Sequence, residues 1–120
     1  MSSVQPRVQR LRRFTAPLHV RQKFAHAHVS KELKAKLGIK RRAVQVRKGD
    51  TVKIMAGKDN GKAGKVGRVD LRRSVVFIDG ITRKTAKGKE LQIPVRINKV
   101  YITDLDLSDK LRKEKLGLKQ

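Results

Sequence analysis

The sequence predicts a mainly β fold: a small barrel of short strands, with an extended basic N-terminal arm and short N- and C-terminal helices. Apolar residues alternate at Val52 and Ile54 and again at Ile93, Val95 and Ile97, as in strands with one buried face. Turn residues separate such segments over about 55 residues, which favours a closed barrel over a sandwich. The 120 residues suit one domain. We divide them into the arm at 1–46, the barrel at 47–103 and a helical tail at 104–120.

The N-terminal arm combines a basic, proline-containing segment with one helix signal. In "SKELKAKLG", Ser30 is a typical N-cap and Gly38 lies just past the end, so a short helix is expected near 30–37. Upstream, Pro6 and Pro17 interrupt a segment without clear periodicity. Such a segment cannot bury enough apolar surface to fold alone, so we expect it to be extended.

The middle of the chain reads as consecutive short strands. A step of three between Val66 and Val69 breaks strict alternation and predicts a β-bulge near Gly67. The segment 75–78 is a short apolar strand, and Pro94 places its own strand at an edge or at a strand start.

The C-terminal tail returns to helix in "LSDKLRKEKLG". Ser108 is the expected N-cap, Asp109 would lie in the first turn and Gly117 is a plausible stop.

The charge balance predicts a polyanionic partner. The chain carries 32 Lys and Arg against 10 Asp and Glu, a net charge of +22, and Glu32 is the only acid in residues 1–47. Phosphate backbones are the commonest partner of such a chain. Membrane insertion is not expected, because the longest branched or aromatic apolar run is 75–78 and Trp is absent. The Arg-rich, nearly acid-free start leaves a cleaved targeting segment as an alternative.

The Gly-Lys stretch "AGKDNGKAGK" does not fit a nucleotide-binding loop. Such a loop has four residues between its first glycine and its Gly-Lys pair, and a Ser or Thr directly after that pair. Here three residues separate Gly57 from Gly61, and Ala63 follows Lys62. Asn60-Gly61 instead indicates a hairpin turn, because both residues tolerate positive φ. The predicted structural turn residues are Gly49, Gly57, Asn60, Gly61 and Gly64.

A turn alone does not explain the three lysines of this stretch, Lys58, Lys62 and Lys65. Cations beside exposed backbone N–H groups make a phosphate-contacting surface, which we favour over a merely solvated edge.

Metal-binding and catalytic signals are weak. His26 and His28 would share a strand face, with His19 nearby, but no acid or cysteine completes a metal site. No residue lies in a recognisable nucleophile motif, so neither an enzyme nor a cofactor is predicted. Phe77 and Tyr101 are expected in the core, so base stacking is not expected and RNA would be recognised through backbone charge and shape.

The predicted RNA-binding residues lie in the arm, the Gly-Lys stretch and the later turns. They are Arg7, Arg10, Arg12, Arg13, Arg21, Lys23, Lys40, Arg41, Arg42, Arg47, Lys48, Lys58, Lys62, Lys65, Arg72, Arg73, Arg83, Lys84 and Lys87.

The stretch "KGDTVKIMAGKDNGKAGKVGRVDLRRSVVFIDG" resembles the KOW motif, with its Gly-Asp before the first strand, its glycine at the hairpin and "GKV" opening the second strand. The flanks 16–38 and 99–116 are similar to the extensions of the large-subunit ribosomal protein twenty-four family, in its archaeal and eukaryotic branch. The short C-terminal tail favours the archaeal type.

This resemblance implies an SH3-like barrel in a cytoplasmic ribosome, bound to large-subunit rRNA near its 5′ region. It also implies early assembly and a place near the polypeptide exit tunnel, beside neighbouring large-subunit proteins. The segment 82–90 corresponds to a projecting hairpin loop, and contact with nascent-chain factors is left open.

Two other functions remain as alternatives. A KOW-containing transcription elongation factor would bind RNA polymerase, but such factors place a further α/β domain before the motif. A DNA compactor would fit the charge alone.

Overall fold

Seven strands form one mixed sheet in the computed structural model, which describes residues 3–118. The predicted arm and tail therefore each have two terminal residues outside the described part. The strands are β1 (His26–Val29), β2 (Ala43–Gln45), β3 (Thr51–Ile54), β4 (Ala63–Asp70), β5 (Val75–Lys84), β6 (Glu90–Arg96) and β7 (Val100–Asp104). The helices are α1 (Pro6–Thr15), α2 (Leu18–Arg21), α3 (Lys31–Leu37) and α4 (Lys110–Leu116), with short 3₁₀ helices at Gln22–Phe24 and Ile97–Lys99.

The sheet order is β2-β1-β7-β3-β4-β5-β6, and every pair is antiparallel except β1 with β7. The mainly β fold with short helices is confirmed. Hydrogen bonds between strands do not close this sheet into the predicted barrel. Among the described strands, β2 and β6 lie at opposite ends of the order and are not neighbours. Pro94 lies in β6, so its edge position is confirmed; a proline cannot donate to a further ladder.

The bulge predicted near Gly67 is present. Val66 pairs with Ile78, but Arg68 pairs with Phe77, so the register shifts across Gly67. A Cβ atom at Gly67 would lie 2.6 Å from Oδ1 of Asp79, so that exposed side chain would have to move.

The N-terminal segment is folded and not extended. Pro6 occupies the first turn of α1, where its missing N–H costs nothing, and Pro17 is the N-cap of α2. The two prolines therefore bracket a helix that we had expected them to interrupt. Further along, Ala27 of β1 and Val44 of β2 are buried, and both strands pair into the same sheet as the rest. The boundary at residue 47 stays a prediction, although the sheet continues across it.

The two predicted helices near the ends of the chain are present. The Ser30 hydroxyl accepts a hydrogen bond from the Leu33 N–H at 3.2 Å, and Gly38 ends α3 with a positive φ of 63°. For α4 the predicted N-cap is wrong by one residue. The Asp109 carboxylate, not Ser108, accepts from the Leu111 N–H at 3.0 Å.

A buried ion pair fastens α4 to the sheet. The Asp50 side chain is 0% exposed and Arg112 is 5% exposed. Arg112 donates to Oδ1 of Asp50 at 2.6 Å and to Oδ2 at 2.7 Å. The same carboxylate accepts from the backbone N–H groups of Arg47 and Asp106, both at 2.9 Å. The chain before β3, the chain after β7 and α4 therefore converge on one side chain.

Candidate nucleic-acid interface

The predicted RNA-binding residues are all exposed except Arg21, which is half-buried. The fold distributes them over separate places: the exposed helix α1, the turn between β4 and β5, the loop 55–62, the edge of β2 and the hairpin between β5 and β6.

The densest group lies in a cleft between the end of α1, the β4–β5 turn and the end of β6. We call it the arginine cleft and define it by Arg13, Arg21, Arg72, Arg73 and Arg96. It encloses about 340 Å³. No carboxylate pairs with these arginines among residues 3–118, so no ion pair neutralises the positive charge of the cleft.

Backbone geometry at the β4–β5 turn displays two of these arginines. Oδ1 of Asp70 accepts from the N–H groups of Arg72 at 3.0 Å and Arg73 at 3.4 Å, which closes an Asx turn. Ser74 follows with a positive φ of 54°, rare for a residue other than glycine. The turn thus holds two adjacent guanidinium groups on the surface.

Arg21 acts as a structural tie within the cleft. Its guanidinium donates to the carbonyl oxygens of Ala16 at 2.9 Å, of Arg72 at 3.2 Å and of Phe14. It therefore holds the end of α1 against the β4–β5 turn. Arg13 lies over the Phe24 ring, 5.7 Å from its centroid, which adds a second contact between α1 and the segment that follows.

The sequence prediction missed Arg96, Arg68 and Lys99. Arg96 lines the arginine cleft and also the groove beside the loop 55–62, where Lys99 lies with Lys58. Arg68 lies over the Phe77 ring on the other side of the β4–β5 turn. Strand alternation was the available signal, since Arg96 stands between two apolar residues of the buried face.

In the loop 55–62, the three lysines do not share one tip. Lys58 and Lys62 lie in the loop, but Lys65 lies on β4 opposite Thr51. Lys62 is paired with Asp59, with 2.7 Å between Nζ and Oδ1. Lys58 is therefore the loop lysine without a carboxylate partner in the described structure.

The turn residues of this loop differ from each other in conformation. Gly57 and Gly61 have positive φ angles of 98° and 87°, but Asn60 does not, so the Asn-Gly pair is not a two-residue turn with both φ positive. The loop closes where the Gly61 N–H donates to the Ile54 carbonyl at 2.8 Å.

Gly49 and Gly64 are constrained by close contacts. Gly49 has a φ of 96°, and a Cβ there would lie 2.9 Å from Oδ2 of Asp106. Gly64 lies inside β4 and not in the turn. A Cβ there would lie 2.7 Å from the carbonyl oxygen of Asp79, so it permits close approach of β5.

A second basic cleft follows the edge strand β2, where Arg41 and Arg47 lie with Lys115 of α4. Arg47 also forms an exposed ion pair with Asp109, with 2.7 Å between the two side chains. The hydrogen bond from Arg47 lowers the pKa of Asp109, and the backbone N–H of Ser108 lowers the pKa of Asp106. Both acids therefore stay charged, and Asp109 partly neutralises the positive charge of Arg47.

The remaining predicted contacts stand apart from the clefts or on their rims. Lys23 lies in the 3₁₀ helix Gln22–Phe24, whereas Lys40, Arg42 and Lys48 lie in connecting segments. Arg83 and Lys84 are the last residues of β5, and Lys87 lies in the turn between β5 and β6. Arg7, Arg10 and Arg12 lie on α1, which has no buried residue and exposes the apolar side chains of Leu11 and Phe14 as well.

The rings of His26 and His28 contact neighbouring groups of the chain. The ring of His26 bonds the Lys23 carbonyl at 2.7 Å, and that of His28 lies 5.9 Å from Tyr101. No group of three His, Asp or Glu able to hold a metal occurs in the part of the chain that the structure describes. Tyr101 is 38% exposed, so its expected core position is wrong, whereas Phe77 is half-buried.

No helix among residues 3–118 has the length and apolarity needed to cross a membrane.

Comparison with known proteins identifies one family. A profile of the ribosomal proteins described as L26 in eukaryotes and as the L24 type in archaea matches residues 3–119. A protein named large ribosomal subunit protein uL24 from Pyrobaculum islandicum is 47% identical over 94% of this chain and 90% of its own length. Proteins of the same name from Methanothrix thermoacetophila (47%; 95% of this chain and 97% of its own) and Saccharolobus solfataricus (46%; 97% and 96%) are similar.

The match runs through the arginine cleft, the loop 55–62 and α4 alike, and it favours the ribosomal hypothesis over a transcription factor. The resemblance drawn from the KOW stretch and its flanks is thereby confirmed. The chain belongs to the family of eukaryotic ribosomal protein L26 and archaeal ribosomal protein L24, a family of non-enzymatic constituents of the large ribosomal subunit in the cytoplasm.

Proposed function

We propose that this chain binds large-subunit rRNA through a basic surface that runs from the arginine cleft, past Arg96, to Lys58. The observation that carries the proposal is that Arg96 lines both the cleft and the groove beside the loop 55–62. Arg72, Arg73 and Arg96 have no carboxylate partner among the described residues, and planar guanidinium groups suit phosphate oxygens.

We further propose that the chain binds the region near the 5′ end of this rRNA, that it binds early in subunit assembly, and that it lies near the polypeptide exit tunnel. The resemblance of the KOW stretch and its flanks supports them. The hairpin at 82–89, with Arg83, Lys84 and Lys87 exposed, is the part of the chain available to nascent-chain factors there.

The proposal is tested by binding of the full chain to a transcript of the 5′ domain of archaeal large-subunit rRNA, with a transcript of another domain of equal length as comparison. With about eight phosphates neutralised, the logarithm of the affinity should fall against the logarithm of salt with a slope of about −6 to −7. The 5′ transcript should bind more tightly at each salt concentration.

A matched pair of variants locates the contact. Arg72→Gln with Arg73→Gln should lower the affinity by about tenfold or more and flatten the slope by about 1.4 to 1.8. Lys36→Gln with Lys110→Gln removes the same charge from exposed positions outside the clefts and should change both much less. Equal effects of the two variants, or binding that does not respond to salt, would contradict the proposal.

A further inference from the structure

The outer face of the sheet carries a row of three side chains across adjacent strands. His28 of β1 is the register partner of Tyr101 of β7, which is the partner of Lys53 of β3. The next row, Val29, Ile102 and Val52, is buried. Because side chains alternate along a strand, the first row faces away from the core.

Two aromatic rings of this row lie beside each other. The ring centroids of His28 and Tyr101 are 5.9 Å apart, with 54° between the ring planes. Tyr101 is 38% exposed and Met55, which follows β3, is 44% exposed. These side chains line a groove of about 550 Å³, a volume within the range of small-ligand sites. The floor of the groove is therefore a partly apolar surface, lined by aromatic side chains and open to solvent.

The rim of the groove is positively charged. Lys31 and Lys34 of α3, Arg42 before β2 and Lys53 line it, against the single acid Glu32. None of these four cations forms an ion pair with a carboxylate in the described structure. An occupant that combines a planar ring with negative charge would complement both the floor and the rim, and a nucleotide whose base is unstacked has both properties.

We propose that this groove holds one unstacked RNA nucleotide, with its base against Tyr101 and His28 and its phosphates near Lys53 and Arg42. The inference rests on the proposed RNA binding and adds a base-contacting subsite to an interface that otherwise contacts the backbone. Exposed aromatic side chains on a sheet are a known platform for unstacked bases, and each stacked base strengthens binding by about five- to 150-fold.

The chain allows a direct test, because Tyr101 is its one tyrosine and it has no tryptophan. Tyrosine fluorescence of the full chain therefore reports on this groove alone. Titration with a hexauridylate should quench that fluorescence in a saturable way. An abasic oligoribonucleotide of the same length and charge should leave the fluorescence unchanged and bind at least about fivefold more weakly.

Two variants separate stacking on the Tyr101 ring from hydrogen bonding by its hydroxyl group. By anisotropy of a labelled hexauridylate, Tyr101→Ala should lose about five- to 150-fold in affinity, and Tyr101→Phe should keep most of it. Full binding without quenching, equal affinity for the abasic strand, or quenching by an acidic peptide and not by RNA would each overturn the inference. If Arg72→Gln with Arg73→Gln still weakens rRNA binding in those cases, the proposed function is supported and only this base-contacting subsite is excluded.

Discussion

The carboxylate of Asp50 and the guanidinium of Arg112 form a two-fold hydrogen-bonded ion pair, at 2.6 and 2.7 Å, although 62 residues separate them in the chain. Arg112 also donates to the backbone carbonyl oxygens of Asp106 at 2.9 Å and Gln45 at 3.0 Å. The aspartate of the KOW motif thus serves the fold, because it ties the beginning of β3 to α4 and to the end of β2.

We predict that breaking this pair from one side is costly. Arg112→Met leaves the Asp50 charge buried without its partner and should lower the free energy of unfolding by about 3 to 5 kcal/mol, on the order of 10 to 20 °C in Tm. Thermal melts monitored by far-UV circular dichroism would measure it. Arg47→Gln, which breaks the exposed pair with Asp109, is the control and should cost about 1 kcal/mol or less. Equal small losses in both variants would show that the buried pair does not hold α4.

A second prediction concerns acid. The pKa of Asp109 is lowered by its hydrogen bond from Arg47, and that of Asp106 by the Ser108 N–H, from an ordinary value of 3.8. A lowered pKa in the folded state means that the charged carboxylate is favoured by folding. Its contribution is therefore present above about pH 3.8 and is lost as pH falls through the lower, folded-state pKa.

Asp109→Asn keeps a side-chain acceptor for the N-cap but removes the charge. The Tm difference between this variant and the native chain should be largest near pH 6 and should shrink below about pH 3.8. A difference that stays constant down to pH 2.5 would show that the ion pair with Arg47 has no part in it.

A third prediction concerns Gly64. A methyl group there would lie 2.7 Å from the Asp79 carbonyl and 2.7 Å from Cγ2 of Ile78, so β4 and β5 would have to separate. Gly64→Ala should destabilise the chain by about 1 to 3 kcal/mol in denaturant unfolding. Ala63→Ser, at the exposed neighbouring position, should stay within about 0.5 kcal/mol. A neutral Gly64→Ala would mean that the strands tolerate the methyl group.

A fourth prediction distinguishes the two lysines of the loop 55–62. Lys62 is paired with Asp59 and Lys58 is not, so Lys58→Ala should weaken rRNA binding more than Lys62→Ala. Asp59→Asn should release Lys62 and steepen the salt slope by up to about 0.9. Filter binding across a salt series measures both. If Lys62→Ala is the more damaging variant, or if Asp59→Asn weakens binding, the loop does not contact phosphate in this way.

The sequence predicted local features well and long-range ones poorly. The bulge at Gly67, the edge position of Pro94 and the cap at Ser30 follow from one or two residues with restricted backbone chemistry, and all are present. The ion pair between Asp50 and Arg112 could not be predicted. Arg112 lies in a charge-rich helix, where nothing in the sequence distinguishes it from the neighbouring basic residues.

In the candidate interface, too, local properties could be predicted and long-range contacts could not. Exposure of the basic residues could be predicted from composition, but their grouping could not. The arginine cleft arises because Arg21 holds α1 against the β4–β5 turn, and the expected extended arm contained no such helix. Arg96 was predictable in retrospect, since it alternates with the buried Val95 and Ile97.

The most direct measurement of the central claim is arginine modification by a dicarbonyl reagent, compared between the free chain and assembled large subunits by mass spectrometry. Arg72, Arg73 and Arg96 should react in the free chain and be protected in the subunit, whereas the buried Arg112 should be unreactive in both. Equal reactivity of Arg72, Arg73 and Arg96 in both states would contradict the assignment of the arginine cleft to rRNA.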